Sequence, residues 1–163
     1  PYFWAGLKFF NVFGPNEYHK DRMASVILHA FYTISETGHM DLFRSHHPDF
    51  KDGEQARDFI YVEDVAKVIH FFMNHRKDSG IYNVGTGIAR SYLSLTSAVF
   101  KSMSKKEEIG FKDTPCDLQG KYQYYTCANI QKLRGIGYSE SFCALEDGID
   151  DYVCNYLIPG VCY

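Results

Sequence analysis

Two stretches of the 163-residue sequence carry groups that could hold a ligand or move a proton. Arg57-Asp58 opens the strand-like run RDFIYV (57–62) directly after a polar loop. The guanidinium is a planar fork of donors that matches a phosphate bidentately. Asp58 is a candidate salt-bridge partner that would orient it; the alternative is a plain surface arginine. The second stretch, LKFFNVFGPNEYHK (7–20), is a short apolar strand that runs into Gly14-Pro15 and a polar loop with Asn16, Glu17, His19 and Lys20. A lysine partly desolvated in a cleft can exchange protons near neutrality; a solvated loop lysine is the other reading. Strand end, turn, polar loop and helix start is where open α/β sheets place ligands. Asn11 and Lys20 are therefore read as the lips of a crevice, with the amine of Lys20 and the guanidinium of Arg57 facing one void. His29, off the centre of the next helix's apolar face, is a candidate at its rim.

Other stretches carry weaker chemistry. Gly85-Thr86-Gly87 has no third glycine and no acidic residue after a following strand, so it reads as a strand-ending turn and not a dinucleotide fingerprint. No tyrosine-x-x-x-lysine pair of the hydride-transferring kind is present. His39, His46 and His47 lie near one another without an acidic or cysteine ligand at a usual spacing, so no metal is expected. The five cysteines, Cys116, Cys127, Cys143, Cys154 and Cys162, are odd in number and form no C-x-x-C pair; reduced thiols in a cytoplasmic protein are the plain reading. Net charge is −3 without a basic run beyond Lys105-Lys106, which argues against nucleic acid. No apolar run reaches the ~20 residues that span a bilayer.

The elements that must position these groups alternate between strand and helix, which predicts an α/β fold. Met23, Val26, Ile27, Ala30, Phe31 and Ile34 form one helical face that ends near Gly38. A short strand over 40–43 precedes a polar excursion from Arg44 to Gln55, long enough to be functional or disordered. The strand at 57–62 enters a helix with Glu63 and Asp64 in its first turn and Val65, Val68, Ile69, Phe72 and Met73 on its buried face. Then come a strand at 81–84, a helix capped by Ser91, a strand at 108–112, a loop at 114–119, a short helix at 129–136 and a last helix from Leu145 to Leu157. The chain opens directly on a strand without an initiator Met and is read as a piece of something longer.

In this order, K-F-F-N-V-F-G-P (8–15), R-D-F-I-Y-V-E-D-V-A (57–66) and Y-N-V-G-T-G (82–87) resemble the carboxyl-terminal half of the extended short-chain dehydrogenase/reductases that modify nucleotide sugars. H-K-x-x-M-A-S (19–25), K-D-G-E-Q-x-R-D-F (51–59), and K-Y-Q-Y-Y-T-x-A-N (121–129) with L-R-x-x-G-Y (133–138) narrow the resemblance to the ADP-L-glycero-D-manno-heptose 6-epimerase family of lipopolysaccharide core synthesis. The resemblance covers residues 5 to 157. It implies that residues 1–163 form the carboxyl-terminal substrate-binding lobe with the last part of a parallel sheet, the Rossmann nucleotide-binding half being absent. It further implies an NADP-dependent isomerase that oxidises the sugar C6 carbinol to a ketone and returns hydride to the other face.

By the same resemblance Lys20 is a catalytic acid/base and Val12 packs by the nicotinamide. Asn11, Arg22 and His29 touch substrate, and Arg57 holds the diphosphate. Phe43, Arg44, Ser45 and His46 lie along the adenosine, and Tyr122 faces the ADP-heptose. NADP would be bound mostly by the missing half, so the chain alone is expected not to turn over; the full-length protein would be a cytoplasmic homo-oligomer. The chain departs from the family at Arg22, where a small residue is common, at Arg44-Ser45-His46, and at Cys143-Ala144 in place of a hydroxyl cap. The alternatives are an epimerase or dehydratase of UDP- or dTDP-sugars, and a non-catalytic sugar-nucleotide-binding fragment.

Overall fold

The computed structural model describes residues 2–115 and 122–161. Cys116, Cys162, Lys121 and part of the expected 114–119 loop lie outside the described residues. The first strand run is one extended segment that changes partners. Its first part, β1 (Ala5–Phe9), pairs in parallel with β5 (Gly80–Val84). Its second part, β2 (Asn11–Phe13), pairs in parallel with β4 (Ala56–Tyr61). The exchange falls at Phe10, whose N–H still donates to the Val84 carbonyl at 3.0 Å. β4 also takes β6 (Ala89–Ser91) antiparallel along its first half. A further parallel pair joins β3 (Met40–Phe43) to β7 (Ile109–Lys112).

Helices cover both faces of β4. Ser25 caps α1 (Val26–Thr37) by accepting the Leu28 N–H, and the helix stops at Gly38, whose φ of 73° is the left-handed conformation glycine adopts without cost. α2 (Val62–Asn74) carries Glu63 and Asp64 in its first turn, where the helix dipole favours them. Ser91 caps α3 (Tyr92–Ser102). The short α4 (Gln131–Gly135) and α5 (Leu145–Tyr152) follow, and α5 runs on as a π-turn to Leu157. Ala144 gives α5 no side-chain cap; instead Asp64 accepts the Cys143 N–H at 2.6 Å.

Because both faces are covered, the second half of β4, Phe59-Ile60-Tyr61, is apolar on both sides, and its alternation separates two cores. Phe59 and Tyr61 join Phe13 and the apolar sides of α1, α3 and α5. Ile60 faces the other way, into Val65, Val68, Phe72, Tyr82, Val84, Leu133 and Tyr138.

Two helix faces were read too wide from the sequence. Met23 is 85% exposed because it belongs to the 3-10 segment Tyr18–Met23, ahead of α1. Ile69 and Met73 are exposed, since the second core meets α2 along Val65, Val68 and Phe72.

Candidate functional site

Arg57 is 8% exposed, and no carboxylate lies within 4.0 Å of it among the described residues. Its guanidinium donates to the Ala56 carbonyl at 2.9 Å and to the Gln123 carbonyl. It lies against two rings, with Cζ 5.9 Å from the Tyr92 centroid and 5.5 Å from that of Tyr122. Both contacts are within cation–π range. Carbonyls and ring faces stabilise a cation without neutralising it, so among the described residues nothing within 4.0 Å offsets the charge of Arg57.

The expected Arg57–Asp58 pair does not form. Successive side chains of a strand point to opposite faces, so Arg57 shares the side of Phe59 and Asp58 that of Ile60. Asp58 is fully buried and accepts four hydrogen bonds: from Thr86 N and Oγ1, both 2.8 Å, from Gly87 N at 2.9 Å and from Ala128 N at 3.0 Å. A Cβ at Gly85 would lie 2.8 Å from Asp58 Oδ2 and 2.6 Å from the Ala128 Cβ, which is why this turn needs glycine there. Gly85-Thr86-Gly87 is thus the strand-ending turn its sequence predicts.

Arg57 lines one cavity and lies against two rings, Tyr92 and Tyr122, that line another. The first, about 650 Å³, lies at the strand exchange and is lined by Lys8 to Asn11, by Arg57 and by residues of the 123–127 segment. That segment is held beside β4 by Ala56 N to Tyr124 O at 2.9 Å and Thr126 N to Ala56 O at 3.1 Å. The second cavity, about 420 Å³, lies between α1, β3 and the start of α3; Arg22, His29, Phe43, Gln55, Tyr92 and Tyr122 line it. Phe43 and Tyr122 meet edge-to-face at 6.3 Å, and Lys112 Nζ sits 5.8 Å over the Phe43 ring. Burial, then the adjacent Tyr92, raise the Tyr122 phenol above its ordinary value, with Arg57 pulling the other way.

The expected site residues divide accordingly. Asn11 and Arg57 share the first cavity; Arg22, His29, Phe43 and Tyr122 share the second. Lys20 is exposed in the 3-10 segment and lines neither, although Arg22, two residues on, lines the second. The loop around Lys20 is tied down by the buried Glu17, which accepts from Ser25 N and Oγ, both at 2.6 Å. Asp21, between Lys20 and Arg22, has φ 46°, a strained value for a non-glycine residue. Val12 packs against the second core.

Arg44, Ser45 and His46 belong to an ordered excursion. Arg44 faces Asp52 at 3.5 Å and Asp113 at 3.6 Å. Ser45 N donates to Asp52 Oδ1 at 2.7 Å, and His46 N to the Tyr124 hydroxyl at 3.2 Å. His39 pairs with Asp41 at 2.8 Å.

Three residues were not anticipated. Lys8, read only as part of a strand, adds a cation to the first cavity; Tyr92, at the start of the helix that Ser91 caps, flanks Arg57; Gln55 is almost wholly buried beside the second cavity. For Tyr92 the available signal was its place directly after the Ser91 cap, where a helix start approaches the strand that carries Arg57.

Residues 2–85 match the sequence model of the NAD dependent epimerase/dehydratase family. The chain belongs to that family. A relative from Fusobacterium nucleatum, named ADP-L-glycero-D-manno-heptose-6-epimerase, is 50% identical over 160 residues, covering 94% of this chain and 48% of the relative. The crystal structure of the Helicobacter pylori enzyme of the same name superposes with a TM-score of 0.79 at 31% identity, covering 98% of this chain and 45% of that one. The UDP-N-acetylglucosamine 4-epimerase of Methanobrevibacter ruminantium superposes with a TM-score of 0.80 at 22% identity, covering 98% and 47%, which shows the shared fold alone. The chain spans about half the length of the curated relatives it matches. Its architecture is the α/β fold of the extended epimerases.

The family name implies a nicotinamide cofactor. The G-x-G turn of this chain does not fit a dinucleotide pyrophosphate, because the Thr86 and Gly87 N–H groups are already bonded to Asp58. Among the described residues no group of three or more His, Cys, Asp or Glu could hold a metal ion. Cys127, Cys143 and Cys154 are free thiols, and no helix is long and apolar enough to cross a membrane among the described residues.

Proposed function

We propose that this chain forms the sugar-nucleotide-binding lobe of an ADP-L-glycero-D-manno-heptose 6-epimerase, a cytoplasmic homo-oligomer of lipopolysaccharide core synthesis that uses NADP. The observation that carries this reading is the buried guanidinium of Arg57, which has no carboxylate partner among the described residues, lines the first cavity and lies against Tyr92 and Tyr122 of the second. A diphosphate supplies the missing negative charge. The names of the relatives at 50% identity support the choice of ADP-heptose.

When bound, the nicotinamide cofactor supplies removal of hydride from the sugar carbinol and its return to the opposite face. The residues of this chain bind and orient the substrate. Arg57, seconded by Lys8, grips the diphosphate. The base lies in the second cavity along Phe43 and Tyr122, with Arg22 and His29 reaching the ligand from the α1 side. Asn11 hydrogen-bonds the sugar in the first cavity. Lys20 takes up and returns the proton of the reacting hydroxyl, which requires the 3-10 segment to present its amine to the bound sugar.

The test is calorimetry of ADP and of UDP with the natural full-length protein, together with an NMR assay of C6 inversion on the ADP-heptose epimers. ADP should bind more tightly than UDP, and the C6 epimers should interconvert. Preference for UDP would move the reading to a UDP-sugar enzyme. Binding of neither nucleotide would leave a non-catalytic chain.

A further inference from the structure

The side chain of Gln55 is 1% exposed, and only half of its hydrogen-bonding capacity is used. Nε2 donates to the Phe43 carbonyl at 3.2 Å and to the Arg44 carbonyl at 3.3 Å. Two acceptors on one side fix the amide's orientation, since the flipped amide would set its oxygen against both carbonyls. The backbone is fixed as well: the Gln55 carbonyl accepts the Tyr92 N–H at 3.1 Å, and the Gly53 carbonyl accepts the Leu93 N–H at 2.9 Å. Oε1 meets no donor among the described residues, and Gln55 lines the second cavity together with Phe43, Tyr92 and Tyr122. The oxygen is not one of the sealed, unpartnered atoms of the structure; it is open at the cavity wall to a ligand that brings a donor.

We propose that Gln55 reads the nucleobase: its amide oxygen accepts the exocyclic amine of a 6-aminopurine seated against Phe43 and Tyr122. This rests on the reading of the second cavity as the nucleotide site. An amide can read adenine through two bonds, giving one to N7 and accepting one from N6. Here Nε2 is committed to the protein, so the reading is through the oxygen alone. Such a site welcomes an N–H at position 6 and sets oxygen against oxygen when that position carries a carbonyl. Discrimination by one neutral hydrogen bond is worth roughly tenfold.

The experiment is calorimetric titration of the natural full-length protein with ADP, with purine riboside diphosphate, which lacks the 6-substituent, and with inosine diphosphate, which carries a 6-oxo group. Affinity should fall in that order, with ADP about tenfold tighter than inosine diphosphate. In Gln55→Met the ratio of ADP to inosine diphosphate affinity should collapse to within about twofold. A purely structural Gln55 would weaken both nucleotides together and leave the ratio intact. Equal affinities across the wild-type series would overturn the inference, and so would an ADP preference that survives Gln55→Met. The wild-type series is decisive even where the variant does not fold. Absence of binding by all three nucleotides would overturn the nucleotide reading itself, which is a different outcome from a flat series.

Discussion

Replacing Arg57 by methionine tests whether its charge serves binding or folding. Methionine keeps an unbranched stem of similar reach between Tyr92 and Tyr122 and removes only the guanidinium. On the folding side, the variant loses two charge-assisted bonds, to the Ala56 and Gln123 carbonyls, about 1.5–3 kcal/mol each, and two ring contacts of roughly 0.5–1 kcal/mol each. Against this stands the several kcal/mol needed to hold a guanidinium away from water without a carboxylate. The Ala56 carbonyl is not orphaned, since it keeps the Thr126 N–H at 3.1 Å. The opposing contributions are of similar size, so urea unfolding should place Arg57→Met within about 1 kcal/mol of wild type. Affinity behaves differently, because the diphosphate loses a charged donor and nothing compensates. ADP binding should weaken by about 1.5–3 kcal/mol, or roughly 10- to 150-fold. A variant destabilised by more than about 2 kcal/mol that binds ADP as wild type does would refute the reasoning, since Arg57 would then be a structural cation.

Asp58→Asn should be the opposite case. Its new amide N–H₂ would confront two of the N–H donors that Asp58 accepts, and the urea midpoint should fall by an amount equivalent to about 2–4 kcal/mol. Lys20→Ala in the natural full-length protein should keep ADP-sugar affinity and lose turnover by about 10²–10⁴-fold; near-normal turnover in the NMR assay would remove Lys20 from the mechanism. Ser25→Ala should cost about 1 kcal/mol and lower Tm by roughly 2–4 °C, because it removes the α1 cap and a donor to Glu17. Stability should also decline above about pH 10. The buried phenols of Tyr61 and Tyr152 are both raised, chiefly by burial and then by Asp151 and Glu17 respectively. Above the ordinary phenol range the unfolded chain gives up protons that the native state keeps, so each contributes a loss approaching 1.4 kcal/mol per pH unit. Tyr61→Phe should make the alkaline limb of a denaturation series shallower, and an unchanged limb would contradict this.

Strand and helix order was legible because the apolar periodicity of α1 is strong and boundary residues, Gly38 at the end of α1 and Ser91 at the start of α3, have local chemistry. What the sequence conceals are facts that depend on a partner. Arg57 and Asp58 are neighbours along the chain, which suggests a pair, yet strand alternation places them in different environments. The apolar stripe of α2 includes Ile69 and Met73 by spacing alone, and only the position of the second core limits it to Val65, Val68 and Phe72. Tyr92 has the same apolar periodicity as Leu95 and Val99, and nothing local says that its ring meets a guanidinium. Gln55 looks like any loop amide until the 44–55 excursion closes over it. Met23 continues the period of α1, and no periodicity announces the positive φ at Asp21 that breaks the 3-10 segment in its middle.

The adjacency of Arg57 and Asp58 nevertheless has a physical logic. The run 5–13 leaves β5 at Phe9 and joins β4 at Asn11, so the two strands that flank it part at this level, and the first cavity occupies the parting. Asp58 fixes what borders it: it draws the turn after β5 onto β4 through Thr86 and Gly87, and it anchors Ala128, the residue next to the lining Cys127. One residue therefore secures the wall while its neighbour, on the other face of the same strand, offers the charge. The wall also supplies the Gln123 carbonyl that steadies the Arg57 guanidinium. It follows that Asp58→Asn, which touches no ligand, should weaken ADP binding as well as stability, whereas Arg57→Met should weaken binding alone. Coupling in that one direction is what a load carried through the 123–128 segment requires, and independent effects of the two substitutions in a double-mutant cycle would break the link.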